Sequence, residues 1–306
     1  MIVLACPGQG SQTPGFLAPW LESSENAALL ADYSEAAGLD LAVHGTLSDA
    51  DTIRDTAVAQ PLIVAAGLLA LNALRSAGAE GRIGGIAGHS VGEITAAAGA
   101  GILSTADAMA FVSERAVAMA QAAAVTPTSM SAVLGGDPDD VIAAAEALGL
   151  QPANYNGGGQ IVIAGATDAL ARLADEPPKG ARVIPLQVAG AFHTRYMEQA
   201  RDWLAGAAGG YATSDPTVPI WTNNDGSRVE SGSRFLELLI TQVASPVRWD
   251  LCMESFAAAG VTGLIELAPA GALVGLARRG LKGVPTVAIK TPDDIPAALE
   301  LLEQHG

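Results

Sequence analysis

The sequence predicts an α/β protein in which a parallel, helix-covered sheet carries a small inserted subdomain. Three observations lead there. The short apolar run at residues 2–6 reads as a buried first strand that enters a glycine-rich turn, PGQGSQTPG. A second apolar strand, a glycine-flanked turn at Ser90 and a helix follow one another in IGGIAGHSVGEITAAAGAGIL, and such βα succession implies a parallel sheet. Residues 127–192 then change character and read as strand, helix, two strands, helix, strand.

Taken in order, the first strand and its turn lead into acidic helical segments. A long apolar helix is expected over about 60–76, opening at Gln60-Pro61 and closing near Gly78, because proline suits a helix start and glycine the position after its end. The elbow at Ser90 comes next, and then an almost wholly apolar helix over 106–124. In the insert, SMSAVLGG is a strand, PDDVIAAAEALGL a helix, QPANYNG and QIVIAGA strands, TDALARLADE a helix and ARVIPLQVAG a last strand. That βαββαβ order is ferredoxin-like, with helices on one face of an antiparallel sheet. The pattern then returns to helices and short strands at VPIWTN, RFLELLITQV and LIELAPAGAL. The expected division is a discontinuous large domain, 1–126 and 193–306, around a small subdomain, 127–192.

Half of the 306 residues are hydrophobic, enough for a substantial core. The formal net charge of −16 argues against nucleic-acid binding, which needs a basic surface to displace counterions. Local basic residues must then steer any anionic partner, and Arg278, Arg279 and Lys282 are candidates, as a docking patch or as a solvated helix end. Cys6 and Cys252 stand far apart, so neither a disulfide framework nor a zinc site is indicated, and a reducing cytoplasm fits. The opening segment lacks the leader and apolar length of a signal peptide, and no run approaches an uninterrupted membrane span. A monomer in solution is expected.

Gly88-His89-Ser90-Val91-Gly92 matches GxSxG. The pattern exposes a serine hydroxyl on a strained strand-to-helix turn, where side chains at the glycines would collide with neighbouring backbone. A serine nucleophile needs a base. Among four histidines, His89 adjoins the nucleophile and diverges from it, His44 lies in a polar segment and His305 at a terminus. His193 follows the insert's last strand, at a domain junction, and is the expected general base. Gln9 and Gln12 lie in the first glycine-rich turn, whose backbone N–H groups can form half of an oxyanion hole with that of Val91 as the other half. Arg115 has no acidic partner at i±3 or i±4 in its apolar helix. Its charge is either solvent-exposed or aimed into a cleft to grip a carboxylate.

These segments together resemble the malonyl-CoA:acyl carrier protein transacylases, most closely the actinobacterial type. The resemblance spans the chain through PGQGSQ, GHSVGE, SERAVAMAQ around Arg115, Asn154-Tyr155-Asn156 before QIVIAG, GAFHT and QVASPVRW. It implies an α/β-hydrolase-like large domain with a ferredoxin-like insert, Ser90 as nucleophile and His193 as its base. It implies further an oxyanion hole from Gln12 and Val91, Arg115 on the malonyl carboxylate, and Gln242 orienting the histidine through its backbone carbonyl. Gln9, Asn156 and Phe192 are expected to line the substrate site, with Phe192 resembling the malonyl-type pattern. Malonyl-CoA and acyl carrier protein are the implied partners, and neither metal nor bound redox cofactor is expected. The chain departs from the family at Val91, often leucine, and at Ala116, often glycine. The competing readings are a serine thioesterase or esterase on the same elbow, and a non-catalytic scaffold. A hydrolase triad would need an acid, and Asp137, Asp139, Asp140, Asp168 and Asp175 all fall on expected surface helices or caps.

Overall fold

The computed structural model describes residues 1–306. Strand β1 (Ile2–Cys6) is buried along its whole length. Its turn leads to helices α1 (Ser24–Ala37) and α2 (Leu41–Thr46), and then to α3 (Thr56–Leu74). Helix α3 starts four residues before Gln60, because Asp55 caps it by accepting the Ala57 N–H at 2.8 Å. Pro61 therefore lies within the helix, so proline was the wrong start signal and the aspartate the right one. Gly78, at φ +108°, turns the chain out as expected. The stretch is long and apolar enough to cross a membrane by length and composition, yet most of it is buried inside the protein.

Strand β2 (Gly85–Gly88) delivers the elbow, followed by α4 (Gly92–Gly99) and α5 (Thr105–Val125), the latter capped by Ser104. Next come β3 (Thr128–Gly135), α6 (Pro138–Ala147), β4 (Gln151–Gly157), β5 (Gln160–Ala166), α7 (Thr167–Asp175) and β6 (Ala181–Pro185). The remainder supplies α8 (Glu198–Ala207), β7 (Ile220–Trp221), α9 (Gly232–Gln242), β8 (Val247–Arg248) and α10 (Trp249–Ala258). It closes with β9 (Gly263–Glu266), α11 (Ala272–Gly280), β10 (Thr286–Ala288) and α12 (Ile295–His305).

The larger sheet has the order β10-β9-β1-β2-β7, every pairing parallel. Alternation along β1 sends Ile2, Leu4 and Cys6 into the main core and Val3 and Ala5 into a second cluster that includes residues of α10 and α11. Burial on both faces explains why the strand reads as one continuous apolar run.

The smaller sheet has the order β6-β3-β5-β4-β8. Its four strands from residues 127–192 pair antiparallel in the predicted βαββαβ succession. Ile163 and Val133 face α6 and α7 in a satellite core, while Val162, Ala164, Met130 and Ala153 join the main one. The fifth strand was not expected: β8, from beyond the insert, pairs parallel with β4 through Asn154–Val247 and Tyr155–Arg248. Two residues carry too little alternation to register as a strand in sequence.

Candidate active site

Ser90 sits where β2 gives way to α4, at φ +54°, a conformation that non-glycine residues rarely hold. The flanking glycines make the turn possible. A Cβ on Gly88 would lie 2.0 Å from the Gly92 carbonyl carbon, and one on Gly92 would lie 2.1 Å from the Cys6 carbonyl oxygen. The elbow is thus pressed against β1 with no room for a methyl group.

His193 follows the insert's last strand and occupies a second strained position, φ +61°. Its Nε2 lies 2.7 Å from Ser90 Oγ, and its Nδ1 lies 2.8 Å from the Gln242 carbonyl oxygen. A carbonyl can only accept, so Nδ1 carries the proton and Nε2 is free to accept the serine's. Burial, and then the positive charge of Arg115, push the His193 pKa down to about 3, which keeps the ring neutral, with Nε2 unprotonated. His89 turns away, bonding Asn156 Oδ1 through Nε2 at 2.8 Å and meeting Trp249 edge-on.

Arg115 is 1% exposed, so its charge does not reach solvent from α5. Nη1 donates to Gln60 Oε1, and Nη2 donates to Gln242 Oε1 at 2.9 Å and lies 3.4 Å from Ser90 Oγ. It forms no ion pair with any carboxylate of the chain. Burial lowers its pKa to about 10, still well above neutrality. A buried guanidinium without an anionic contact, beside a serine hydroxyl, has the chemistry to receive a carboxylate.

A cavity of about 100 Å³ joins these groups, lined by Gln9, Gln60, Ser90, Val91, Arg115, Phe192 and His193 among others. The backbone N–H groups of Gln9 and Val91 donate to no other group. Gln12 is not on this wall. Gly10, at φ +117°, swings the chain away after Gln9, and Gln12 Nε2 donates instead to the Ile53 carbonyl at 3.2 Å, in a neighbouring hollow of about 460 Å³. Asn156 is set back from the cavity behind His89, bonded to it and to Gln160. No cluster of three or more His, Cys, Asp or Glu side chains is arranged to hold a metal.

Residues 3–294 match the acyl transferase domain family. The malonyl CoA-acyl carrier protein transacylase of Mycobacterium tuberculosis (strain H37Rv) is 50% identical over 296 residues, covering 96% of this chain and 98% of the relative. The chain belongs to the malonyl-CoA:acyl carrier protein transacylase family. It is an acyltransferase. The crystal structure of MCAT from Mycobacterium tuberculosis superposes with a TM-score of 0.94 at 49% identity, covering 97% of this chain and 99% of that one. A malonyl-transacylase solved in complex with its type II PKS acyl-carrier protein gives a TM-score of 0.93 at 28% identity, covering 98% and 99%.

Three residues of this transacylase-family site escaped the sequence reading. Gln60, taken only as a helix opener, is the one buried carboxamide of an apolar helix and bonds Arg115. Glu93 is the lone acid of α4, and its polarity against that background was the available signal. Asn223, after β7, accepts the Ser90 N–H at 2.7 Å and donates to the Gly88 carbonyl at 2.7 Å. It lies 133 residues from the elbow, and nothing local announces it.

Proposed function

We propose that the chain transfers a malonyl group from malonyl-CoA to the phosphopantetheine thiol of acyl carrier protein, in two steps through an ester on Ser90. The observation that carries this reading is the buried, carboxylate-free Arg115 with Nη2 3.4 Å from the nucleophile. Ser90 Oγ attacks the thioester carbonyl as its proton passes to His193 Nε2. The N–H groups of Val91, at the start of α4, and of Gln9 receive the oxyanion; Gln9 takes the role first expected of Gln12. The C–S bond breaks, and His193 returns its proton to the coenzyme A thiolate. In the second half His193 deprotonates the carrier thiol, which attacks the ester carbonyl; the C–O bond breaks and His193 returns the proton to Ser90 Oγ. Arg115 grips the malonyl carboxylate throughout, so an acyl group without one leaves the guanidinium unanswered. The cycle calls for no metal or bound redox group.

We read the architecture as an α/β-hydrolase-like domain, 1–126 and 193–306, around a ferredoxin-like subdomain, 127–192, a reading supported by the all-parallel larger sheet and by the antiparallel order β6-β3-β5-β4 within 127–192. The inferred place of action is the cytoplasm, in keeping with two buried free cysteines. The thioesterase reading draws no support from the acids between Ser90 and His193. Asp137, Asp139, Asp140, Asp168 and Asp175 are all exposed, and His193 Nδ1 meets a carbonyl.

Intact-protein mass spectrometry after brief mixing with malonyl-CoA, beside acetyl-CoA and the Ser90→Ala and Arg115→Ala variants, tests the proposal. The expected result is a malonyl adduct that needs Ser90, weakens without Arg115 and is discharged by a carrier thiol. Free malonate without an adduct would favour the hydrolase, and no turnover at all the scaffold.

A further inference from the structure

A second buried charge lies behind the site, and the two transfer steps make no use of it. Glu93, in the first turn of α4, is 1% exposed. One carboxylate oxygen accepts the Asn223 N–H at 2.8 Å, and the other accepts from Gln242 Nε2. Gln242 Nε2 also donates to the Ser90 carbonyl at 3.1 Å, while its Oε1 accepts from Arg115 Nη2. The carboxamide therefore stands between a buried anion and a buried cation. A carboxylate can only accept, so it must face the NH2 of Gln242, and that turns the amide oxygen onto the guanidinium.

Charge balance points the same way. A guanidinium as buried as Arg115 needs an anion nearby, and Glu93 favours its charged form. Arg115 favours the ionised Glu93 in return, although burial is the larger effect and holds that carboxyl up at about 7. The separation matters to function. A carboxylate placed directly on Arg115 would occupy the face that the acyl group needs, whereas one held off by an amide balances the charge and leaves that face open.

We infer that Glu93 is a positioning residue: it fixes the orientation of the Gln242 carboxamide, and through it Arg115, and so sets acyl selectivity without touching the acyl group. The inference rests on the malonyl-transfer reading above. Glu93→Gln is close to isosteric but carries an NH2. Its amide oxygen goes to the immovable Asn223 backbone N–H, its NH2 then faces the NH2 of Gln242, and that carboxamide must flip. The flip turns a donor towards Arg115.

The experiment is single-turnover acylation of Ser90 by malonyl-CoA and by acetyl-CoA, read by quenched mass spectrometry, with thermal melting of each variant. The malonyl-to-acetyl rate ratio is expected to fall about tenfold or more in Glu93→Gln, through the malonyl rate. In an Arg115→Ala background the same substitution should leave the ratio unmoved. Equal loss with both thioesters, no change in the ratio, or an undiminished effect without Arg115 would overturn the inference. If Glu93→Gln does not fold, Gln242→Leu removes the same link from its other end while keeping the backbone carbonyl on His193, and an unaltered ratio there counts equally against it. A wild-type protein that forms no malonyl ester would instead sink the malonyl reading itself.

Discussion

His193 Nε2 lies 2.7 Å from Ser90 Oγ, and both residues hold left-handed backbone conformations, φ +61° and +54°. Neither position is one that a non-glycine residue adopts freely. The surrounding fold imposes both, Ser90 through the Asn223 and Glu93 network and His193 through its N–H on the Val243 carbonyl at 3.2 Å.

The pH dependence follows from two buried groups of opposite sign. His193 has its folded pKa lowered from 6.5 to about 3, so its contribution to stability is present above pH 6.5 and is lost as pH falls towards 3. Glu93 is raised from 4.5 to about 7, so its contribution is complete below 4.5 and is lost as pH rises through about 7. Urea unfolding across that range should show a flatter acid limb in His193→Asn and a flatter neutral limb in Glu93→Gln. NMR of the ligand-free protein should find the His193 ring neutral down to pH 5. Arg115→Met, which removes the second cause of the shift, should raise that pKa.

Arg115→Lys is expected to behave as a loss. An ammonium cannot span Gln60, Gln242 and a carboxylate in one plane, so malonyl acylation should fall by about a hundredfold or more. Steady-state kcat/KM with malonyl-CoA and acetyl-CoA checks it, and a lysine enzyme that keeps the wild-type preference would refute the bidentate grip.

Gly88→Ala should destabilise the fold by at least about 3 kcal/mol, since its methyl would sit 2.0 Å from backbone that cannot move without unseating Ser90. Gly38→Ala is the control. That residue is also left-handed, at φ +63°, but has open space around it, so only about 1 kcal/mol is expected. Denaturant midpoints of the two variants compare them directly.

Arg278, Arg279 and Lys282 are exposed at and just beyond the end of α11, and none forms an ion pair. Arg279 packs against the β4–β5 turn at Gly158, at the end of the strand that carries Asn156. Reversing the three charges should raise the apparent KM for the carrier by about tenfold and spare Ser90 acylation. An unchanged KM would remove the patch from consideration.

The elbow, the histidine and the arginine were legible because each breaks its background: two glycines around a serine, a lone loop histidine at a junction, a cation in an apolar helix. The βαββαβ order was legible because its strands are long enough to alternate. What escaped was set by distance. Asn223 reaches Ser90 across 133 residues, and β8 joins the smaller sheet with only two. Gln12 was misplaced because a single glycine turn, at Gly10, decides which of two nearby glutamines stays by Ser90.

The β4–β8 ladder has a mechanical consequence. Strand β8 begins five residues after Gln242, whose carbonyl holds His193, so the edge of the smaller sheet and the orientation of that histidine share one short tether. Wide hinging of residues 127–192 would have to break that ladder. For the same reason the segment is not an exchangeable cassette. A chimera that swaps 127–192 alone sets a foreign β4 against the native Val247–Arg248, five residues from the carbonyl that holds His193.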